Sequence, residues 1–193
     1  MVVSTMYPSR VIIGVPEARL KSAYGRDSWF ISEVEKITGT KITIDHNAGK
    51  IIIDINKDAK QNDIIRAREM IQAYAYGFDP NDVLRLRDPD VFMEVINLKD
   101  YLPSNDISRV KGRIIGVNGK TKSAIIEFTG AVISISDNEI AIIGNFDQLQ
   151  AAKRAIEMLI DGSPHTVVYR FLEHFRSSQK IKVLKNLGGR KND

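Results

Sequence analysis

Two hydrophobic patterns alternate along the first part of the chain. Short apolar or alternating runs predict strands at 11–15, 41–45 and 51–55, and apolar residues spaced three or four apart predict helices at 16–24, 29–38 and 62–76. The predicted order of elements is therefore strand, helix, helix, strand, strand, helix.

The same order recurs in the second part of the chain, which indicates an internal repeat. When the Thr-Gly pair at 129–130 is aligned with the pair at 38–39, segment 116–119 falls on segment 25–28 without a gap. The second copy has predicted strands at 91–98, 131–136 and 139–143, a helix on each side of 116–119, and a helix at 147–160. The sequence therefore predicts two similar domains, residues 1–78 and 91–178.

Two further segments lie outside the repeated elements. Asp79 before Pro80 is typical of a helix N-cap and a first helical residue, so we expect a short linker helix at 79–90 rather than a metal-binding loop. Another helix is predicted at about 165–177. The basic residues 179–193 are predicted to form a flexible tail.

Composition restricts the class of protein. The 193 residues are 43% hydrophobic and 27% charged, which is typical of a soluble globular protein, and no apolar run approaches the roughly 18 residues of a transmembrane helix. The first residues lack the features of a signal peptide, so we expect a cytoplasmic protein without membrane contact. The absence of cysteine excludes disulfides and cysteine-bound metals. We expect a monomer that uses no cofactor.

The segment Gly116-Val117-Asn118-Gly119 is the most informative motif. Two glycines allow the main chain to approach a sugar-phosphate backbone closely, and a helix that begins at Lys120 would direct free N–H groups to the same place. Five cations flank the turn, and no acidic residue occurs between 106 and 127. This combination predicts a loop that binds the backbone of a single nucleic-acid strand.

The predicted RNA-binding set comprises this loop, the cations around it, and positions on the floor and edge of an adjoining groove. Each residue also has a purely structural interpretation, such as a tight interhelical turn for the glycines, solvated lysines, and core packing for the isoleucine. The set is Gly116, Val117, Asn118, Gly119, Lys120, Lys122, Arg113, Lys111, Arg109, Ile114, Val132 and Ser134. Arg113 is expected to point towards the RNA strand, and the edge strand at 132–136 to read bases through its main chain.

The corresponding loop of the first copy, Gly25-Arg26-Asp27-Ser28, has lost these properties. Ser28 replaces the second glycine, and Asp27 is expected to place a carboxylate where it would repel a phosphate. Trp29 stands where the second copy has Lys120. We therefore predict that the first copy is a scaffold or a protein-contact domain rather than an RNA clamp.

Enzymatic functions are not supported by the sequence. The run Gly119-Lys120-Thr121 resembles the end of a phosphate-binding NTPase loop, but Ile114 stands where that loop requires glycine. His46 is placed in a predicted hairpin turn, and His165 and His174 fall on opposite sides of one predicted helix, so they do not form a metal site together. The sequence therefore predicts a protein that is not an enzyme and binds no metal.

The predicted order of elements, with a glycine loop between two helices and Thr-Gly before the second strand, resembles the KH domain of type I. The resemblance covers nearly the whole chain in two copies. It implies an α+β fold class with two tandem βααββα domains, each a three-stranded antiparallel sheet packed on three helices. In such domains a GXXG loop holds about four nucleotides by their backbone.

A wider pattern resembles one family of KH-domain ribosome-assembly proteins, the partner-of-Nob family. It consists of the degenerate first copy, the run from Gly112 to Lys122, and Gly162-Ser163-Pro164 followed by Val167-Val168-Tyr169. The resemblance implies binding near the 3′ end of small-subunit ribosomal RNA and assistance to the Nob endonuclease. In archaea it also implies contact with the alpha subunit of translation initiation factor two, and the chain looks archaeal.

These inferences lead to one expected function and two alternatives. We expect a non-enzymatic RNA-binding adaptor in small-subunit biogenesis, which binds single-stranded RNA near the 3′ end of 16S-type rRNA through its second domain. The alternatives are a translation-linked adaptor that binds the initiation factor subunit and a general single-stranded nucleic-acid binder.

Overall fold

The computed structural model describes residues 10–54 and 61–188, without the side chains of 61, 62, 183 and 185–188. The predicted strand end at residue 55 and residues 189–193 of the predicted tail lie outside these ranges. The chain divides into two compact units, the first ending at Pro89 and the second beginning at Asp90. Among the described residues, none of the helices combines the length and the apolar character required to cross a bilayer.

The first unit is a three-stranded antiparallel sheet covered by helices. Its strands follow the order β1-β3-β2, so the last strand in the chain lies in the middle. Ile51 and Ile53 of that central strand are completely buried, as are Phe30 and Tyr74, whose rings stack 5.1 Å apart. The elements are β1 (Arg10–Gly14), α1 (Glu17–Tyr24), α2 (Ser28–Thr38), β2 (Lys41–Asp45), β3 (Lys50–Asp54) and α3 (Gln61–Ala75).

Residues 79–89 of the predicted linker helix, 79–90, belong to the first unit. Pro80–Val83 forms a short helix, α4, which a 3-10 turn at Leu84–Arg87 continues. Asp79 caps α4 by accepting a hydrogen bond from the Asn81 N–H at 3.0 Å. Because Val83 and Leu86 are buried, the segment contributes to a hydrophobic core rather than acting only as a connection.

The second unit repeats the architecture and adds a long helix. Its strands follow the order β4-β6-β5, again antiparallel. The elements are β4 (Val91–Asn97), α5 (Ser104–Ile115), α6 (Lys120–Thr129), β5 (Val132–Ile135), β6 (Glu139–Asn145), α7 (Phe146–Ile160) and α8 (His165–Gly188). One core cluster joins β6 to all four helices of the unit, including Ile140, Ile114, Ile125, Ile156 and Leu172. The predicted mixed fold with two three-stranded antiparallel sheets is confirmed.

The prediction of a flexible tail from residue 179 is wrong over the described residues, because helix α8 continues to Gly188. Gln179 and Lys182 both donate hydrogen bonds to the Asp147 carboxylate on α7, each at 3.1 Å. These bonds lower the pKa of Asp147. The basic composition predicted a solvated tail, whereas the structure pairs Lys182 with an acidic residue close to the N-terminal end of α7.

The Thr-Gly pair that revealed the repeat has the same structural role in both units. Thr38 and Thr129 are buried, and each hydroxyl donates to the carbonyl four residues earlier at 2.7 Å. The following glycines adopt left-handed conformations, with φ of 62° at Gly39 and 73° at Gly130, and end the helices. The hydroxyl of Thr129 also accepts a hydrogen bond from the Ala131 N–H at 3.2 Å. The motif therefore fixes the turn from the second helix into the next strand.

Replacing Thr129 by valine should destabilise the second unit by about 1 to 3 kcal/mol, because the buried Ala131 N–H loses its acceptor while the shape of the side chain is kept. Urea unfolding followed by circular dichroism measures the change. Thr166→Val, at an exposed position of α8, is the matched control and should leave stability within about 0.5 kcal/mol. Equal effects of the two substitutions would contradict the role given to the hydroxyl.

Candidate nucleic-acid interface

The clamp loop, defined as Gly116–Gly119, joins α5 to α6 through a conformation that ordinary residues avoid. Gly116 has φ 74° and ψ 171°, Asn118 has φ 52°, and Gly119 has φ 76°. Asn118 is the one non-glycine residue with positive φ among the described residues, and asparagine tolerates the left-handed region better than most side chains do. Glycine and asparagine at these positions thus allow α6 to begin immediately at Lys120.

Steric contact makes glycine necessary at position 116. A Cβ atom there would lie 2.2 Å from Thr121 Oγ1 and 2.7 Å from Thr121 N, far inside contact distance. The Thr121 hydroxyl in turn lies 3.1 Å from the Tyr169 hydroxyl, with which it shares a hydrogen bond. Gly116 therefore lets the loop pack closely against the first turn of α6. The hydrogen bond between Thr121 and Tyr169 connects the same turn to α8.

The tip of the clamp loop is open to solvent. The Val117 side chain is 82% exposed, Asn118 is also exposed, and a Cβ atom added to Gly119 would meet nothing within 4 Å. The N-terminal end of α6 carries a partial positive charge at the same place, although the Lys120 N–H itself donates to the Val117 carbonyl. The loop can therefore bring its main chain against an extended anionic strand without steric obstruction.

The predicted cations divide into two groups. Lys120 is exposed and Lys122 half-buried, and neither forms an ion pair within the described part of the chain. The other three have partners: Arg109 pairs with Asp106 at 3.0 Å, Lys111 donates to the Ser136 and Asp137 carbonyls at 3.3 Å each, and Arg113 donates to the Ser163 carbonyl at 2.7 Å. Lys120 and Lys122 are thus the cations most available to a phosphate.

Two of the predicted RNA-binding residues also have structural contacts. The Arg113 guanidinium donates a hydrogen bond to the Ser163 carbonyl in the connection between α7 and α8. The Ile114 side chain is completely buried in the core below the loop, in agreement with the core packing considered for it from the sequence. RNA contact by either residue stays a prediction.

The predicted edge strand is present as β5. It pairs with β6 on one side only, in a register that sets Val132 opposite Ile143 and Ser134 opposite Ala141. Both Val132 and Ser134 are half-buried. Since the outer side of an edge strand has no neighbouring strand in its sheet, β5 presents one side of its main chain next to α6.

The contribution of α8 to the surroundings of the clamp loop was not predicted from the sequence. His165 Nε2 lies 3.0 Å from the Arg113 carbonyl, and Tyr169 bonds Thr121 as described above. The nearby Gly162-Ser163-Pro164 turn was recognisable as the start of a helix, but nothing in its pattern indicates where that helix packs. The tertiary structure thus adds two polar side chains to the surroundings of the loop.

The first-unit loop, defined as Gly25–Ser28, differs in conformation from the clamp loop. Gly25 has φ −102° and Asp27 has φ −99°, so neither residue lies in the left-handed region. The Asp27 carboxylate is buried, accepting hydrogen bonds from the Tyr74 hydroxyl at 2.9 Å and from Arg26 Nε at 3.1 Å. Burial and this carboxylate raise the pKa of Tyr74, which keeps the phenol protonated as donor. The expected repulsion between Asp27 and a phosphate is therefore wrong, because the charge is directed inwards.

No group of three or more potential metal-ligating side chains occurs among the residues that the structure describes. One cavity, of about 530 Å³, lies between the end of α6 and the C-terminal half of α8, lined by Phe128, Phe175 and Leu184 among others. It does not include the clamp loop.

The second unit is similar to a known domain family. The family model for the second KH domain of PNO1, described as a eukaryotic-type KH domain (KH domain type I), matches residues 92–177. A KH domain-containing protein of Methanocaldococcus jannaschii is 37% identical over 172 residues, which cover 89% of this chain and 75% of that protein. The chain belongs to the PNO1 family. The family resemblance inferred from the sequence is thereby confirmed.

Two further proteins that are similar to this chain are connected with ribosomal RNA. The pre-rRNA-processing protein pno1 of Schizosaccharomyces pombe is 36% identical over 121 residues, or 61% of this chain and 50% of that protein, so the chain spans about half of that relative. The crystal structure of an a/eIF2alpha–aDim2p–rRNA complex from Pyrococcus horikoshii contains a chain that is 38% identical, with a TM-score of 0.78. That match covers 88% of this chain and 94% of the other.

The two loop glycines should respond differently to alanine. Gly116→Ala should destabilise the second unit by about 2 to 5 kcal/mol, because the clash with Thr121 adds to the cost of a left-handed alanine. Gly119→Ala faces open space and should cost only about 1 to 2 kcal/mol. Thermal and urea unfolding of both variants measure the difference. Equal destabilisation would show that the contact with Thr121 is not limiting.

Proposed function

We propose that this protein is a non-enzymatic RNA-binding adaptor in small ribosomal subunit biogenesis, whose second unit clamps single-stranded RNA near the 3′ end of 16S-type rRNA. The observation that carries the proposal is the clamp loop, which presents an exposed main chain at the start of α6 beside Lys120 and Lys122. We further infer that the first unit is a degenerate KH domain, since it has the same element order and strand order.

The geometry supports backbone recognition at the loop and base recognition at the sheet edge. A phosphate can approach Gly119 without meeting a Cβ atom, receive N–H groups from the first turn of α6, and interact with the Lys120 ammonium. Bases of the same strand would then lie over the groove towards β5, where main-chain groups near Val132 and Ser134 can read their edges. About four nucleotides fit this mode of binding.

The ribosomal target is supported by the relatives. One is a pre-rRNA-processing protein, and another is crystallised with rRNA and a/eIF2alpha. We propose the same classes of partner for this chain, namely rRNA, the alpha subunit of translation initiation factor two, and an rRNA-processing endonuclease of the Nob family that performs the cleavage itself. A translation-linked adaptor role is the second candidate function, which the complex with a/eIF2alpha favours.

Asn118→Asp tests the clamp directly, because it exchanges an amide for a carboxylate of nearly the same shape at an exposed position. We expect at least about a tenfold loss of affinity for single-stranded RNA at low salt, since the new charge would face a phosphate. Fluorescence anisotropy measures binding, and Asn47→Asp in an exposed turn of the first unit is the matched control. Unchanged affinity in the Asn118 variant would remove the clamp loop from the interface.

Lys120→Gln tests the contribution of a single cation to phosphate binding. It should lower affinity and reduce the slope of log K against log salt concentration by about 0.7, the value for one phosphate contact on a single strand. Lys50→Gln, at an exposed position of β3, should leave the slope unchanged. An unaltered slope in the Lys120 variant would indicate that this ammonium is not at the phosphate.

Crosslinking in cells, with mapping of the RNA contacts, tests the ribosomal target. Reads should concentrate near the 3′ end of small-subunit rRNA and decrease in Asn118→Asp cells. If recruitment of the initiation factor subunit is the primary function, the same variant should still capture that subunit. Reads scattered over messenger RNA would reject the role in subunit biogenesis, and equal affinity for DNA of the same sequence would favour a general single-strand binder.

A further inference from the structure

A second concave site adjoins the clamp loop on the side of α8. This α8 pocket has a volume of about 410 Å³, within the roughly 300 to 1,000 Å³ range of small-molecule sites. It shares Gly116, Val117 and Lys120 with the clamp interface. The remaining walls come from α5 (Arg109, Gly112, Arg113), from Thr121, and from the first turns of α8 (His165, Tyr169). A ligand in this pocket would therefore touch the same loop that holds the RNA backbone.

Two aromatic side chains form the α8 wall of the pocket. The rings of His165 and Tyr169 lie 6.2 Å apart, inclined by 45°. Since the Arg113 carbonyl can only accept, His165 Nε2 must donate the hydrogen bond between them, which leaves Nδ1 without a partner among the described residues. The wall thus combines ring surface for stacking with a ring nitrogen that can bond a polar group.

Gly112 lies in the α5 wall of the pocket and adds no side chain to it. It lies within α5, where glycine costs about 0.5 to 1 kcal/mol relative to alanine. Its φ is not in the left-handed region, and a Cβ atom at this position would meet nothing within 4 Å. Neither backbone conformation nor packing therefore requires glycine here. Because glycine has no side chain, the space beside it in the pocket stays open.

The rim of the α8 pocket is positively charged. Arg109 and Lys120 stand at its edges, and no acidic residue lines it in the described part of the chain. The exposed pair between Arg109 and Asp106 is of the weak kind that a phosphate can replace. A ligand with a planar aromatic part and a phosphate fits both the walls and the rim.

We propose that the α8 pocket binds one further nucleotide of the RNA strand, next to the nucleotides held by the clamp loop. Its base lies against His165 and Tyr169, in the space left by Gly112, and its phosphate contacts Arg109 and Lys120. This proposal rests on the proposed function, since it extends the same strand. It makes α8 a part of the RNA-binding surface and lengthens the recognised segment at one end of the strand.

The test is a series of RNA lengths measured on the full chain. The 3′-terminal fragment of small-subunit rRNA is shortened one nucleotide at a time from each end, and affinity is measured by fluorescence anisotropy. For the unmodified protein, removal of one particular nucleotide at one end should lower affinity by about tenfold, the order expected when a base loses an aromatic stacking partner. A smooth decline without such a step would overturn the proposal.

Gly112→Leu places a side chain in the pocket from a position where a Cβ atom meets nothing within 4 Å, and it should stabilise α5, since leucine is a better helix former than glycine. It should abolish the step in the length series while leaving affinity for the shortest bound fragment unchanged. Gln150→Leu, at an exposed position of α7, is the matched control and should retain the step. A step that survives in Gly112→Leu would overturn the proposal even though the clamp functions.

Two substitutions at Tyr169 separate stacking from folding. Tyr169→Phe and Tyr169→Leu both lose the hydrogen bond to Thr121, but only the first keeps an aromatic ring. The step should persist in Tyr169→Phe and disappear in Tyr169→Leu; loss in both would assign the effect to the loop and overturn stacking. Asn118→Asp should instead weaken the binding of fragments of every length. If the unmodified protein binds none of the fragments, the proposed function itself is refuted, and not only the pocket.

Discussion

The close approach of Gly116 to Thr121 is the constraint on which the second unit's interface depends. There is no room for a Cβ atom between the loop and the first turn of α6, so the chain turns from one helix into the next within the loop itself. That tight turn leaves Val117 and Asn118 at an exposed tip and places the start of α6 directly behind them. The exposed main chain, the helix end and Lys120 are brought together by one steric requirement.

The two units show how a shared scaffold can carry different loops. Sheet order and the buried Thr-Gly turn are common to both, because they belong to the cores. In the first unit, however, Asp27 turns inwards to Tyr74, and the loop backbone stays outside the left-handed region. A buried carboxylate bonded to a phenol holds the first-unit loop against its core, whereas the glycines at 116 and 119 give the clamp loop a tight turn with an exposed tip.

Local patterns were sufficient to predict the element order, the repeat and the position of the clamp loop. Periodicity and glycine placement are local properties, and the Thr-Gly pair marks the same turn in each copy. The inward direction of Asp27, the hydrogen bond from Arg113 to Ser163 and the continuation of α8 were not predictable, since each depends on a residue distant in the chain. The distant residue is Tyr74 for Asp27, Ser163 for Arg113 and Asp147 for α8.

The same long-range contacts explain why α8 contributes to the interface, although the sequence predicts that interface only around the glycines. Arg113 bonds Ser163, the Arg113 carbonyl accepts from His165, and Thr121 bonds Tyr169, so three hydrogen bonds connect α8 and the turn before it to both sides of the loop. A loop held in this way loses little conformational entropy when a strand binds, which favours affinity without additional contacts. Because α8 both fixes the loop and forms a wall beside it, the rigidity of the clamp and the length of its RNA segment are linked.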